Sequence, residues 1–295
     1  MRPGFRLRLR LDRQAELTEP APEAVISGYF HDYLDSGHGQ HVYVLKHPFR
    51  SLGALTALYR LPCLYLRRPC PGSESAIIWE ILPRHSMHVP GVGYVMSALR
   101  LPCEPGQYSL GASKQTLRRK IRKAERLGIY WAEVQDTQER LGLLKLADYR
   151  EQTHPDARYR NDNPENSDLL SYELWLAAYS ADGRPLLLSV TPVDGDFAYL
   201  RYFRTLGDGE EESNARYLMT DVLAEHLVSR SARYLLDCAF PAWQHEGLRH
   251  FQRMIGYEIV RIRVARPSPG RSEDHSEMTD PQPEPLGGVE MSAQH

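Results

Sequence analysis

The sequence predicts an α/β fold of the α+β kind: a mixed β-sheet with helices on both faces, carried mainly by residues 109–265. Three observations predict it. From residue 130 the pattern reads strand, helix, helix, hairpin, helix, strand, helix, strand, an order that builds a mixed sheet covered on both sides. The Asp194-Gly195 pair between two apolar runs signals a tight hairpin. A long helical stretch follows that hairpin and would cross over to a roughly parallel strand.

The elements follow in order. Residues 1–108 read as an α/β companion lobe. Phe5, Leu7, Leu9 and Leu11 alternate with arginines, which suits a strand better than the unbroken apolar core of a signal peptide. Ala24 to Tyr33 is helical. Four short strands are expected at 41–45, 63–66, 76–81 and 94–99; the first and third fit helix turns as well. A basic helix then spans Ser113 to Gly128, stopped by its glycine. Tyr130 to Val134 is a strand, Leu141 to Gln152 a helix, and residues 154–166 a loop. Ser167 to Ser180 is expected as a helix, with Leu170, Leu174, Ala177 and Ala178 turned inward. Strands at 185–192 and 197–204 flank the Asp-Gly turn. Ser213 and Asn214 cap a helix from Ala215 to Ser229. Tyr234 to Cys238 is a strand, Glu246 to Ile255 a helix closed by Gly256, and Tyr257 to Val264 the last strand. Residues 266–295, rich in Pro, Ser, Glu and Gly, have no apolar pattern and are expected to be a disordered tail.

Bulk composition narrows the class. The formal net charge is −2 and the mean hydropathy −0.49, and no apolar run approaches 20 residues, so no membrane span is expected and a cytoplasmic location is. Cys63, Cys70, Cys103 and Cys238 lack metal-ligand spacing, and His85 and His88 have no further ligands beside them, so no metal site is expected.

Basic charge is concentrated in one place. Lys114, Arg118, Arg122 and Arg126 form an i+4 row, flanked by Arg119 and Lys123. Like charges at that spacing repel unless an anion or acidic side chains neutralise them. Two readings stand side by side: an anion-binding face, using Arg118, Arg119, Arg122 and Lys123, or a solvated face leaning on acidic Glu210-Glu211-Glu212. Leu117, Ile121 and Ala124 make a narrow apolar stripe that would seat the helix on the domain.

Two segments carry a family resemblance. Arg122-Lys123-Ala124-Glu125-Arg126-Leu127-Gly128-Ile129 resembles the Arg-Lys-Ala-x-x-x-Gly segment that opens the second lobe of FemAB-like transferases and related GNAT proteins. Glu246-Gly247-Leu248-Arg249-His250-Phe251-Gln252-Arg253-Met254-Ile255-Gly256-Tyr257-Glu258 resembles their closing helix and strand. The resemblance covers about residues 110 to 265. It implies a GNAT-like fold and transfer of an acyl group from acyl-CoA, or of an aminoacyl group from a charged tRNA, onto an amine of a small molecule or peptide. A shell of this fold without catalysis, serving as a binding module, is the third expectation.

The residues implied for this chemistry are Tyr202, Asp237 and His245 for catalysis, with Arg204, Asn214, Ala215 and Arg216 toward the donor's phosphates. The chain departs from the pattern twice. Glutamates 210–212 stand where a glycine-rich pyrophosphate loop is usual, and a pyrophosphate needs bare N–H groups and a positive helix end. Gln252 stands where FemAB-like proteins carry a lysine. Core packing of Tyr202 and a structural role for Asp237 remain open beside the catalytic reading.

Overall fold

A computed structural model of the chain describes residues 21–66, 87–157, 159–237 and 246–264. The described residues open on three helices, α1 (Pro22–Asp35), α2 (Gln40–Lys46) and α3 (Pro48–Arg60), followed by strands β1 (Cys63–Leu66), β2 (Met87–Val89) and β3 (Gly93–Arg100). Next come α4 (Gln115–Arg126), β4 (Tyr130–Glu133), α5 (Thr137–Gln152), a 3₁₀ turn (Ser167–Ser171), β5 (Trp175–Tyr179) and β6 (Pro185–Val190). The hairpin supplies β7 (Val193–Asp194), β8 (Phe197–Tyr199) and β9 (Tyr202–Thr205). The chain then forms α6 (Glu210–Ser229), β10 (Tyr234–Asp237), α7 (Glu246–Ile255) and β11 (Tyr257–Val264).

Two sheets result. One runs β1-β11-β3-β10-β8-β7, with β2 also on β3; the other runs β4-β5-β6-β9. Strands from before and after residue 108 therefore share one sheet: β3 pairs antiparallel with both β11 and β10. The expected parallel crossover is present, since α6 leads from β9 to β10, which pairs parallel with β8. This mixed α/β architecture is the GNAT-like arrangement that the element order predicts.

Helices α4 and α6 cover one face of the smaller sheet. Leu117, Ile121 and Ala124 of α4 pack there with Leu176, Ala178, Leu187 and Met219. Helix α5 covers the other face, where Val134, Leu143, Ala147, Trp175, Ala177 and Leu188 meet. Helices α1 and α3 cover part of the larger sheet through Ile26, Phe30, Leu58, Val95 and Ile259. Helix α4 ends as its glycine predicts: Gly128 has φ +74°, and the Ile129 amide reaches back to the Ala124 carbonyl at 3.1 Å.

Several expectations need correction. Residues 41–45 are helical, within α2. Tyr43 packs edge-on against Tyr29 and Tyr33, while Val42, Val44 and Leu45 stay exposed. The helix expected over 167–180 is a 3₁₀ turn followed by β5. All five β5 residues are buried, because helices cover both faces of that sheet. A strand buried on both faces loses its two-residue alternation and reads like a helix interior. Helix α6 starts at Glu210 rather than Ala215, and Gly209 rather than Ser213 or Asn214 precedes it. Residues 197–204 form two strands, β8 and β9, in different sheets. The strands expected at 5–11 and 76–81 and the tail at 266–295 lie outside the described residues.

Gly93 marks a tight approach between strands. Its φ is +111°, and a Cβ there would stand 2.3 Å from the Ile262 carbonyl oxygen. Gly93→Ala is therefore expected to lower stability by about 2 kcal/mol through backbone strain. A drop in the urea unfolding midpoint with an unchanged slope measures it; an unchanged midpoint would show that β3 shifts freely on β11.

Candidate functional site

The site is made where the hairpin changes sheets. The Leu200 amide donates to the Leu236 carbonyl at 2.8 Å, the last rung of the β8–β10 ladder. The Arg201 amide then turns back to the Tyr199 carbonyl at 2.8 Å, and the strand leaves for the smaller sheet as β9. Arg201 is held in this break by a fork on Asp168, with Nε to Oδ2 and one terminal nitrogen to Oδ1, both at 2.8 Å. The Glu165 carbonyl accepts a further bond at 3.0 Å. Two parallel bonds to one carboxylate fix direction as well as position.

Beyond the break, β9 and β10 diverge around a cleft of about 380 Å³. Tyr202, Phe203 and Arg204 form one wall. Leu248, Phe251 and Ile255 of α7 form another, and Asp237, Gln252 and Tyr257 supply polar groups. Apolar walls with a few convergent polar groups are the usual make-up of a small-molecule site.

Asp237 is oriented from above by α7. The Gln252 side-chain amide donates to its Oδ2 at 2.6 Å, and the Ser97 hydroxyl donates to Gln252 Oε1 at 3.3 Å. Register explains the meeting: Asp237 lies directly opposite Ser97 across the β10–β3 ladder, so both side chains rise from one face. Gln252 is only 5% exposed, and both ends of its amide are satisfied. The residue that stands where FemAB-like proteins carry a lysine thus serves as a neutral bridge. Tyr257 lies beside this bridge. Its hydroxyl is buried and has no hydrogen-bond partner among the described residues. Burial, and next the Asp237 charge, push its phenol well up, so it stays protonated and can only donate or accept a hydrogen bond.

Tyr202 and Arg204 turn toward α5, with Phe203 on the α6 side. Arg204 meets the Glu151 carboxylate at 3.3 Å and lies over the Tyr202 ring at 5.7 Å. Glu151 is buried and also accepts from the Asn166 amide at 3.2 Å. Burial, and then Glu151, raise the Tyr202 phenol. Tyr202 is thus both a core residue of the smaller sheet and part of the cleft wall. His245 lies outside the described residues.

The α6 N-terminus is crowded with charge. Glu210 pairs with Lys123, Glu211 with Arg184 at 2.7 Å, and buried Glu212 with the same guanidinium at 2.7 Å. A Cβ at Gly207 or Gly209 would strike the Glu212 carboxylate, at 2.7 and 2.8 Å. Carboxylates are favourable at a helix start. Asn214 and Ala215 fall in the second turn, beyond the amides left free at the helix end, and the Asn214 side chain donates to the Glu210 carbonyl at 2.7 Å. Arg216 lies over the Phe251 ring at 5.4 Å, and burial lowers its pKa.

The cations of α4 and the turn before it divide. Lys114 bonds the Ile255 carbonyl at the end of α7 and lies 4.3 Å from the Tyr108 ring centre. Arg118 bonds the Ser109 and Gly111 carbonyls at 2.6 and 2.7 Å. Arg119, Arg122 and Arg126 are exposed, with no carboxylate partner among the described residues, and line a shallow depression with Glu125. Lys120 stands about 100° or more round the helix from these arginines, on the side toward α6. Lys120 lies over Tyr217 at 5.5 Å, and Tyr217 packs edge-on to Phe251 at 5.3 Å.

No family model matches the chain, and no curated protein does. Among solved structures, it is similar to the C-terminal DUF2156 domain of a protein assigned as a lysylphosphatidylglycerol synthetase from Agrobacterium fabrum. Identity is 16% and the TM-score 0.44, over 56% of this chain and 57% of that one. It is also similar to L-PGS from Bacillus licheniformis, at 11% identity and TM-score 0.42, over 57% and 59% of the two chains. The chain thus matches less than two thirds of either structure's length.

Of the residues singled out from sequence, Tyr202, Arg204 and Asp237 meet in the cleft; Arg118 and Lys123 are engaged within the fold. Gln252, Ser97 and Tyr257 complete the polar group. Gln252 stood out only as a departure from a motif, and the other two carried no local signal. Tyr257→Phe removes an unpartnered buried hydroxyl, so it is expected to raise stability by about 1 kcal/mol. Urea unfolding of the two proteins checks this; a destabilised variant would show that the hydroxyl is bonded within the fold.

Proposed function

We propose that this protein transfers an aminoacyl group from a charged tRNA to an amine held in the β9–β10 cleft. The observation that supports this most is the exposed Arg119, Arg122 and Arg126 row on α4, which has no carboxylate partner among the described residues. Such a row suits a phosphate backbone. The carboxylates that occupy the α6 N-terminus weigh against a CoA pyrophosphate at that helix end. The acceptor nitrogen attacks the ester carbonyl, and the new C–N bond forms as the bond to the ribose oxygen breaks. Asp237 takes the proton from nitrogen and returns it to the ribose oxygen. Proton transfer of this kind by one positioned carboxylate is general acid–base catalysis.

Neutralising the row as Arg119→Gln/Arg122→Gln/Arg126→Gln should weaken charged-tRNA binding by about tenfold or more and flatten its salt dependence. Filter binding across a salt series reads both. Unchanged binding would end the reading of the row as the tRNA site; thermal stabilisation by acyl-CoA with none by charged tRNA would replace the donor with acyl-CoA.

Asp237→Asn should reduce the transfer rate by roughly 10²- to 10⁴-fold while leaving tRNA affinity in place. Single-turnover transfer of a labelled aminoacyl group measures the rate. Binding of charged tRNA by the native protein, with no transfer to any amine offered, would point to a non-catalytic binding module.

A further inference from the structure

A second pocket opens beside the Gln252 bridge. Helices α1 and α7 both cover the face of the larger sheet that carries Ile259 and Ser97, and a space of about 340 Å³ remains between them. Helix α1 gives it Glu23, Ala24 and Ser27. Helix α7 gives it Arg249 and Arg253, which share one side of that helix at i and i+4. Gln252 and Tyr257 line both this pocket and the β9–β10 cleft, so they form the wall between the two.

The pocket holds more donors than acceptors. Arg249 makes no hydrogen bond or ion pair among the described residues, and its Nε is shut off from solvent. A nitrogen that has lost water without gaining an acceptor is costly. The Tyr257 hydroxyl is in the same state. Neither the Ser27 hydroxyl nor the Arg253 guanidinium meets an acceptor among the described residues. Glu23 is the carboxylate on this face, and one of its oxygens already accepts from the Ile259 amide at 3.0 Å. Glu258 alternates away: it lies opposite Ala98, which packs on the other face of the sheet with Met96 and Val260. Two guanidinium groups against one carboxylate leave a single positive charge among the described residues.

We propose that the α1–α7 pocket binds a small organic monocarboxylate. The Nε edge of an arginine presents two parallel N–H groups at the spacing of two carboxylate oxygens, as the Arg201–Asp168 fork does in this same protein. One unbalanced positive charge suits a monoanion, whereas a phosphate dianion would bring a negative charge that nothing there offsets. Ala24 and Ile259 give the carbon body of the ligand an apolar seat. The site goes beyond aminoacyl transfer and does not rest on it.

Melting curves of the full chain at fixed ionic strength test the proposal. The probes are butyrate and hexanoate, with butyramide, hexanamide and methyl phosphate beside them. The carboxylates are expected to raise the melting temperature saturably, and the neutral amides to leave it in place. Arg249→Gln should weaken carboxylate binding about tenfold or more. Arg253→Gln, at an exposed position that folding tolerates, gives a second reading with a smaller loss. No saturable rise with either carboxylate, an equal rise with the amides, or a rise that both substitutions leave unchanged would overturn the proposal. A rise with methyl phosphate alone would overturn the choice of a carboxylate. Binding is read without tRNA or any transfer assay, so its failure leaves the proposed chemistry standing.

Discussion

The Arg201–Asp168 fork is the contact on which the cleft depends. The two arms of the hairpin stay paired along their length, β7 with β8 and β6 with β9, while the second arm leaves β10 after Leu200. The break exposes backbone groups, and the fork on Asp168 with the Glu165 carbonyl holds Arg201 where the turn must occur. Once the arm has crossed, β9 and β10 can only diverge, and the space between them is the cleft. Asp237 and Tyr257 are placed by the larger sheet and Gln252 by α7, whereas Tyr202 and Arg204 are placed by the smaller sheet.

Charge is distributed with the same economy. The carboxylates at the α6 N-terminus satisfy the positive end of a 20-residue helix and also neutralise Lys123 and Arg184. Lys114 satisfies the C-terminal end of α7. These cations hold the fold together, whereas Arg119, Arg122 and Arg126 of α4, with no carboxylate partner among the described residues, share one exposed patch. The i+4 repulsion along α4 is relieved at Lys123 and left at the surface for Arg119, Arg122 and Arg126.

Much of this was legible in the chain where local rules dominate. The stripe Leu117, Ile121, Ala124 is buried as its spacing requires, and Gly128 closes the helix with positive φ. The Asp-Gly turn is a turn. Reading failed where burial removes period, as in β5, with all five residues enclosed. It failed again at α6, where three glutamates looked like a loop but are favourable first-turn residues. The sheet change at Arg201 could not be seen, because its partner Asp168 sits 33 positions away in a segment that reads as helix. The Ser97–Gln252 contact spans 155 positions and appears only once β3, β10 and α7 are assembled.

Glu212 has a further consequence, for competition. Its carboxylate fills the space that Gly207 and Gly209 leave bare, and Arg184 anchors it there. A free phosphate arriving at the α6 N-terminus must displace a tethered anion, whose effective concentration is that of an intramolecular ligand. The helix end is in this sense self-occupied. Small phosphorylated metabolites face a standing rival there, and that rivalry is set by chain connectivity rather than by their own abundance.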